Sequence, residues 1–85
     1  MALIPLTLPQ VASLLPPASR VQLARLDGLC LDMLCLISDE SGEPRFALEV
    51  FIGGQVMRTA AHPRIDARLV DDLTSVMEGA LGHAI

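Results

Sequence analysis

Residues 29–59 read LCLDMLCLISDESGEPRFALEVFIGGQVMRT, and the division of this stretch decides the fold. An almost unbroken apolar run is followed by a charged segment, DESGEP, then by FALEVFI, a Gly-Gly step and QVMRT. In the first run Leu29, Leu31, Met33, Cys35 and Ile37 form an apolar row on alternate residues. That is the period of a strand, whose side chains point to opposite faces in turn. In the second run Phe46, Leu48, Val50 and Ile52 form another such row, with Ala47, Glu49 and Phe51 between them. Gly53 and Gly54 reach the positive φ that a two-residue hairpin demands. The pattern predicts a three-stranded antiparallel meander in the order 1-2-3 over residues 29–59.

Register follows from the turns and the faces. A Gly53-Gly54 hairpin sets Ile52 opposite Gln55, Phe51 opposite Val56, Val50 opposite Met57, Glu49 opposite Arg58 and Leu48 opposite Thr59. Glu49 and Arg58 then meet as opposite charges, which supports the same register independently. Residues 39–44 form the first connection. For the odd row of the first strand to share a face with the even row of the second, Ile37 must pair with Phe46 and Met33 with Val50, because a one-residue slip would invert the face.

Helices are expected on both sides of the meander. Thr7 and Gln10 have capping-box spacing and predict a helix over residues 8–15, ended by Pro16-Pro17. Ser19 and Gln22 repeat that spacing, with Gly28 as a left-handed stop, for a second helix over 20–27 within a helical arm of residues 8–27. Leu23, Leu26, Cys30, Met33, Leu34 and Ile37 also fit helical spacing, so one long helix over 20–38 competes with helix plus strand. Gly28 and the alternating row oppose it. Asp66 is the expected N-cap of a C-terminal helix over residues 66–81, whose Leu69, Val70, Leu73, Val76, Met77, Ala80 and Leu81 make a broad apolar stripe. That stripe is expected to cover the Met33, Leu48, Val50 and Met57 face, with Leu69, Leu73, Val76 and Met77 buried and Asp71 and Asp72 complementing the helix dipole. Gly79 and Gly82 mark its fraying end. The fold expected is an α+β domain spanning residues 1–85: two short N-terminal helices, the meander, and a C-terminal amphipathic helix packed on one sheet face.

Composition narrows the function classes. The chain has 85 residues and is 52% hydrophobic and 19% charged, which fits a packed module and excludes a disordered polyampholyte. A chain this short buries only roughly 60–65% of its unfolded surface, so association is a plausible source of added stability. Its formal net charge is -4, all basic residues are arginine, and it has no Trp or Tyr and two Phe. A nucleic-acid groove needs clustered cations, and single-strand binding needs aromatic platforms, so no nucleic-acid partner is expected. No basic flank precedes Arg20, prolines interrupt the N-terminal apolar run, and Asp32 breaks the longest apolar stretch. Neither a secretory leader nor a membrane span is expected, and the expected compartment is the cytoplasm.

Chemistry-bearing residues are sparse. Cys30 and Cys35, five apart in the predicted strand, would point to opposite faces about 16 Å apart at ~3.3 Å per residue, too far for a disulfide. They read as packed thiols. Together with His62 and His83 they lack the short paired spacings of a zinc site, and no metal or cofactor is expected. His62 and Asp66 read as a helix start rather than a His–carboxylate dyad, and the Gly-Gly step joins strands rather than cradling a phosphate. No catalytic set appears, so an enzyme is not expected.

The second face of the meander is the anomaly. It gathers Cys30, Leu34, Leu36, Ala47, Phe51 and Val56 with Asp32, Glu49 and Arg58, more apolar than a solvated face. Either the helical arm covers it, or a second copy or another protein does. The expectation is a small acidic protein-interaction module, an adaptor, anti-activator or chaperone-like factor. It would act as a homodimer through an interface of Leu34, Leu36, Phe51, Val56, Glu49 and Arg58, and would bind another protein. Its architecture alone is similar to that of bacterial secretion chaperones. The alternative is a small-ligand-binding or catalytic subunit with a pocket between the C-terminal helix and the sheet near Cys35 and Met57.

Overall fold

The computed structural model describes residues 3–40 and 42–85. Its elements run β1 (Leu3–Leu6), α1 (Leu8–Ser13), α2 (Pro17–Asp27), β2 (Asp32–Glu40), β3 (Glu43–Ile52), β4 (Gln55–Arg58) and α3 (Ala67–Leu81). The strands form one antiparallel sheet in the order β1-β2-β3-β4. The class is α+β as expected, but the sheet has four strands rather than three. The added strand is β1, which pairs Ile4 with Ile37 and Leu6 with Cys35. Four residues with Pro5 inside carry no strand signal of their own. An edge position tolerates the proline because only one side of the strand needs hydrogen bonds.

The register of the meander is the expected one. Ile37 pairs with Phe46, Met33 with Val50, Val50 with Met57 and Glu49 with Arg58. The first connection is tighter than 39–44: pairing continues through Asp39 and Pro44 to Glu40 and Glu43, while residue 41 lies outside the described residues. β2 also starts later than expected, at Asp32. Leu29 and Leu31 precede the sheet and are 48% and 79% exposed, so the first two members of the apolar row are not core. Cys30 likewise sits in the turn after α2 rather than on the second sheet face, and it packs against the core side.

Beyond Arg58 the register changes. The Thr59 N–H donates to the Leu48 carbonyl at 2.9 Å, but the Leu48 N–H donates to the Thr59 hydroxyl at 3.1 Å. The next backbone pair joins Phe46 to His62, one residue out of step, through two hydrogen bonds of 2.8 Å. A bulge therefore bends the chain off the sheet, with the buried Thr59 side chain standing in for the lost ladder acceptor. It delivers the chain to α3.

The helices correct several details. Thr7 and Gln10 form the expected capping box, but α1 ends at Ser13. α2 begins at Pro17, not at residue 20, with Pro16 as N-cap. Ser19 is thus inside the helix and buried, and Gln22 reaches across to the Thr74 hydroxyl of α3 at 3.2 Å instead of back to a cap. Gly28 has φ -69°, a right-handed conformation, so it is not a left-handed stop. The competing 20–38 helix is excluded, since Asp32 onward is strand. α3 is capped by Asp66 as expected and ends at Gly82 with φ 77°.

All three helices lie on one face of the sheet. Val11 and Leu15 at α1, Leu23 and Leu26 of α2, and Leu69, Val70, Leu73 and Met77 of α3 join Met33, Cys35, Leu48, Val50 and Ile52 in one core. Val76 is only half-buried, and Val70 takes the place expected for it. The helical arm therefore does not cross to the second face. Asp71 and Asp72 lie beyond the first turn of α3, too far along to complement its dipole.

Leu73 has no exposed surface and sits where α3 meets the sheet. Its truncation to alanine is expected to cost about 2–5 kcal/mol through lost burial and a residual cavity, a large share of the stability of a chain this size. Urea unfolding of Leu73→Ala against the native chain measures it, and an unchanged midpoint would contradict the assigned core.

Candidate functional site

Residues paired directly across the sheet share a face, so the register defines what the uncovered face carries. Among the rows that cross it are Leu3, Ser38 and Arg45; Pro5, Leu36 and Ala47; Leu34, Glu49 and Arg58; and Asp32, Phe51 and Val56. The six residues expected at the interface are thus on one face. Their exposure differs. Val56 is 62% exposed, Leu34 39% exposed and Phe51 half-buried, while Leu36 lies deep in the sheet with 9% exposed. Leu36 is therefore a floor for the apolar patch rather than a contact in its own right. Pro5 extends the patch from β1 and was invisible in the sequence because that strand was.

Glu49 and Arg58 meet as the hairpin requires. Arg58 donates from Nε at 3.0 Å and from Nη2 at 2.6 Å, both to Glu49 Oε2. The pair is internally satisfied, and half of the Arg58 side chain stays exposed. The Asp32 carboxylate accepts from the Met33 N–H at 3.0 Å and has no ion-pair partner among the described residues. A depression between Leu34, Phe51 and Val56 has a volume of about 30 Å³, room for about one water and not for a ligand.

The other chemistry-bearing groups are structural. His62 Nε2 lies 2.8 Å from Asp72 Oδ2, which also accepts from the Ala60 N–H at 3.2 Å. The carboxylate partner of His62 is thus Asp72, ten residues on, and not Asp66, which caps α3. The interaction ties the bulged segment after β4 to α3. Only the bulge brings the two together, so no spacing rule could have found it. Cys30 and Cys35 are free thiols. Cys35 is fully buried and its pKa is pushed up to about 11 by burial. Burial therefore holds the thiol in its protonated form. Cys30 is also shifted upward, by burial and then by the nearby Asp27 charge. Among the described residues no group of three or more His, Cys, Asp or Glu side chains could hold a metal ion. Among the described residues no helix is long and apolar enough to cross a membrane.

The described residues thus form an α+β two-layer protein with one layer of helices and one open sheet face. Comparison with known protein families, with curated proteins and with solved structures finds no match.

Two outcomes follow. Reversing Glu49 and Arg58 together should be better tolerated than the sum of the single reversals, by about 0.2–1 kcal/mol, in a double-mutant cycle. Additive effects would place the two side chains apart. Cys35 makes stability depend on alkaline pH: the folded pKa is about 11 against an ordinary 9.0, so the folded state holds the proton more tightly. Its contribution is complete below pH 9 and falls as pH rises toward 11. Cys35→Ala, although less stable at neutral pH, should show a shallower loss of stability across that window.

Proposed function

We propose that this protein is a small interaction module that self-associates and holds another polypeptide on its open sheet face, in the manner of an adaptor, anti-activator or chaperone-like factor. The observation that carries the reading is the one-sided placement of the helices. With α1, α2 and α3 all on the core face, nothing in the chain's described elements covers Leu34, Phe51 and Val56. An aromatic side chain at the centre of an apolar patch, with charges at its margin, matches the anatomy of a binding surface.

Charge indicates what the face accepts. Glu49 and Arg58 neutralise each other, which leaves Asp32 as the unmatched group beside Phe51. A second copy laid on this face would bring a second Asp32 carboxylate to the contact. A polypeptide that presents apolar side chains with a basic residue beside them fits better, and the net charge of -4 favours its approach.

A photoactivatable aromatic residue at position 51, expressed in the native host, tests this. The expected result is crosslinking to a distinct protein, diminished by Val56→Glu. Adducts only between copies would assign the face to self-association, and no adduct above that of an exposed control on α3 would overturn the reading. Phe51→Glu itself should keep the native circular dichroism and melt closer to the native chain than Leu73→Ala does, because Phe51 lies outside the core.

A further inference from the structure

We propose that the second copy docks on α2, with the α2 helices of two chains packed antiparallel about a two-fold axis. The inference rests on the proposed self-association but not on the occupant of the sheet face. α2 carries apolar side chains on both sides: Leu23 and Leu26 point into the core, while Val21 points outward and is 65% exposed. Of the large apolar side chains that remain exposed, Leu14, Val21, Leu29 and Leu31 all lie on α2 or in the connections that flank it. Beside it runs an open groove of about 430 Å³, walled by Leu8 and Ala12 from α1 and Leu23 and Ala24 from α2. Arg20 and Asp27 border the same groove.

Those two charges choose the occupant. Arg20 and Asp27 are exposed, and neither has an ion-pair partner among the described residues. They stand seven residues apart on one side of the helix, about 10.5 Å along its axis at 1.5 Å per residue. Each is placed against the helix dipole, a cation toward the N-terminus and an anion at the C-terminus. An antiparallel copy resolves both. With the two-fold axis level with Leu23 and Ala24, Arg20 of each chain meets Asp27 of the partner, so one contact supplies two ion pairs. Ala24 lies nearest the axis and lets the helices approach within the 8–10 Å of packed helices. A two-fold contact is self-complementary by definition, and the Arg20 and Asp27 pattern meets that condition. α2 is short, so a weak dimer is expected, with a dissociation constant on the order of 1–100 µM.

Sedimentation equilibrium from about 10 µM to 1 mM tests the proposal with three variants. Arg20→Asp and Asp27→Arg each turn both ion pairs into repulsions and should weaken the dimer at least ~10-fold. The double variant Arg20→Asp/Asp27→Arg recreates both pairs with exchanged signs and should return to within about threefold of the native value. Either single change also relieves a charge opposed to the dipole, so each variant should keep the native circular dichroism as a monomer, and loss of the dimer cannot be put down to unfolding. A native chain that stays monomeric at 1 mM, single variants that dimerise as tightly as the native chain, or a folded double variant that fails to recover would each overturn it. A dimer abolished by Phe51→Glu but indifferent to these charges would move the copy to the sheet face and leave α2 without the assigned role.

Discussion

The rest of the structure depends on the pairing of Met33 with Val50 and of Val50 with Met57. These pairs fix which side chains of three strands share a face, and the period of two leaves no intermediate choice. Once Met33, Cys35, Leu48 and Val50 face one way, α3 has a surface for Leu69, Leu73 and Met77, and α1 and α2 close the same core from the other end. The opposite set, Leu34, Phe51 and Val56, is then committed to the outer face by the same geometry. Core and candidate binding surface are two consequences of one register.

The bulge after β4 is the second determinant. A flat continuation would carry residues 59–62 along β3, whereas the one-residue offset turns the chain toward α3. Polar groups that would otherwise lose partners are retained: the Thr59 hydroxyl receives the Leu48 N–H, and the Asp72 carboxylate receives both His62 and the Ala60 N–H. Burying a peptide group without a partner costs about 1–3 kcal/mol, which makes the buried Leu48–Thr59 bond a condition for the bend. No buried side-chain nitrogen or oxygen among the described residues lacks a hydrogen-bond partner.

Two surfaces of different character emerge from this arrangement. The sheet face is apolar, broad and edged by a satisfied ion pair with Asp32 left over. The α2 surface is a ridge and a groove bordered by Arg20 and Asp27. The proposed partner on the sheet and the proposed second copy on α2 both rest on that difference in character. Both readings draw on the same physical rule, that desolvated apolar contact supplies attraction while charge decides the partner.

Residue alternation by itself determined the hairpins, their register, the Glu49–Arg58 contact, and the C-terminal helix with its Asp66 cap. Each is a local pattern of period 2 or 3.6, or a cap within four residues, and short-range sterics suffice to read it. Tertiary structure alone decided the rest. β1 is a strand only because β2 offers an edge for Leu3–Leu6 to complete, and Leu29 and Leu31 alternate correctly yet precede β2, Leu31 reaching the sheet only through its N–H to the Phe51 carbonyl. Ser19 and Gln22 have the spacing of a cap, but Pro17 starts the helix one turn earlier and burial against α3 takes both side chains inward. The side of the sheet chosen by the helical arm was likewise undetermined, since the apolar residues of α2 mark no single dominant face. It was settled by the longer-range condition that Val11, Leu23 and Leu26 bury most completely beside α3, and that choice is what left the Phe51 face open.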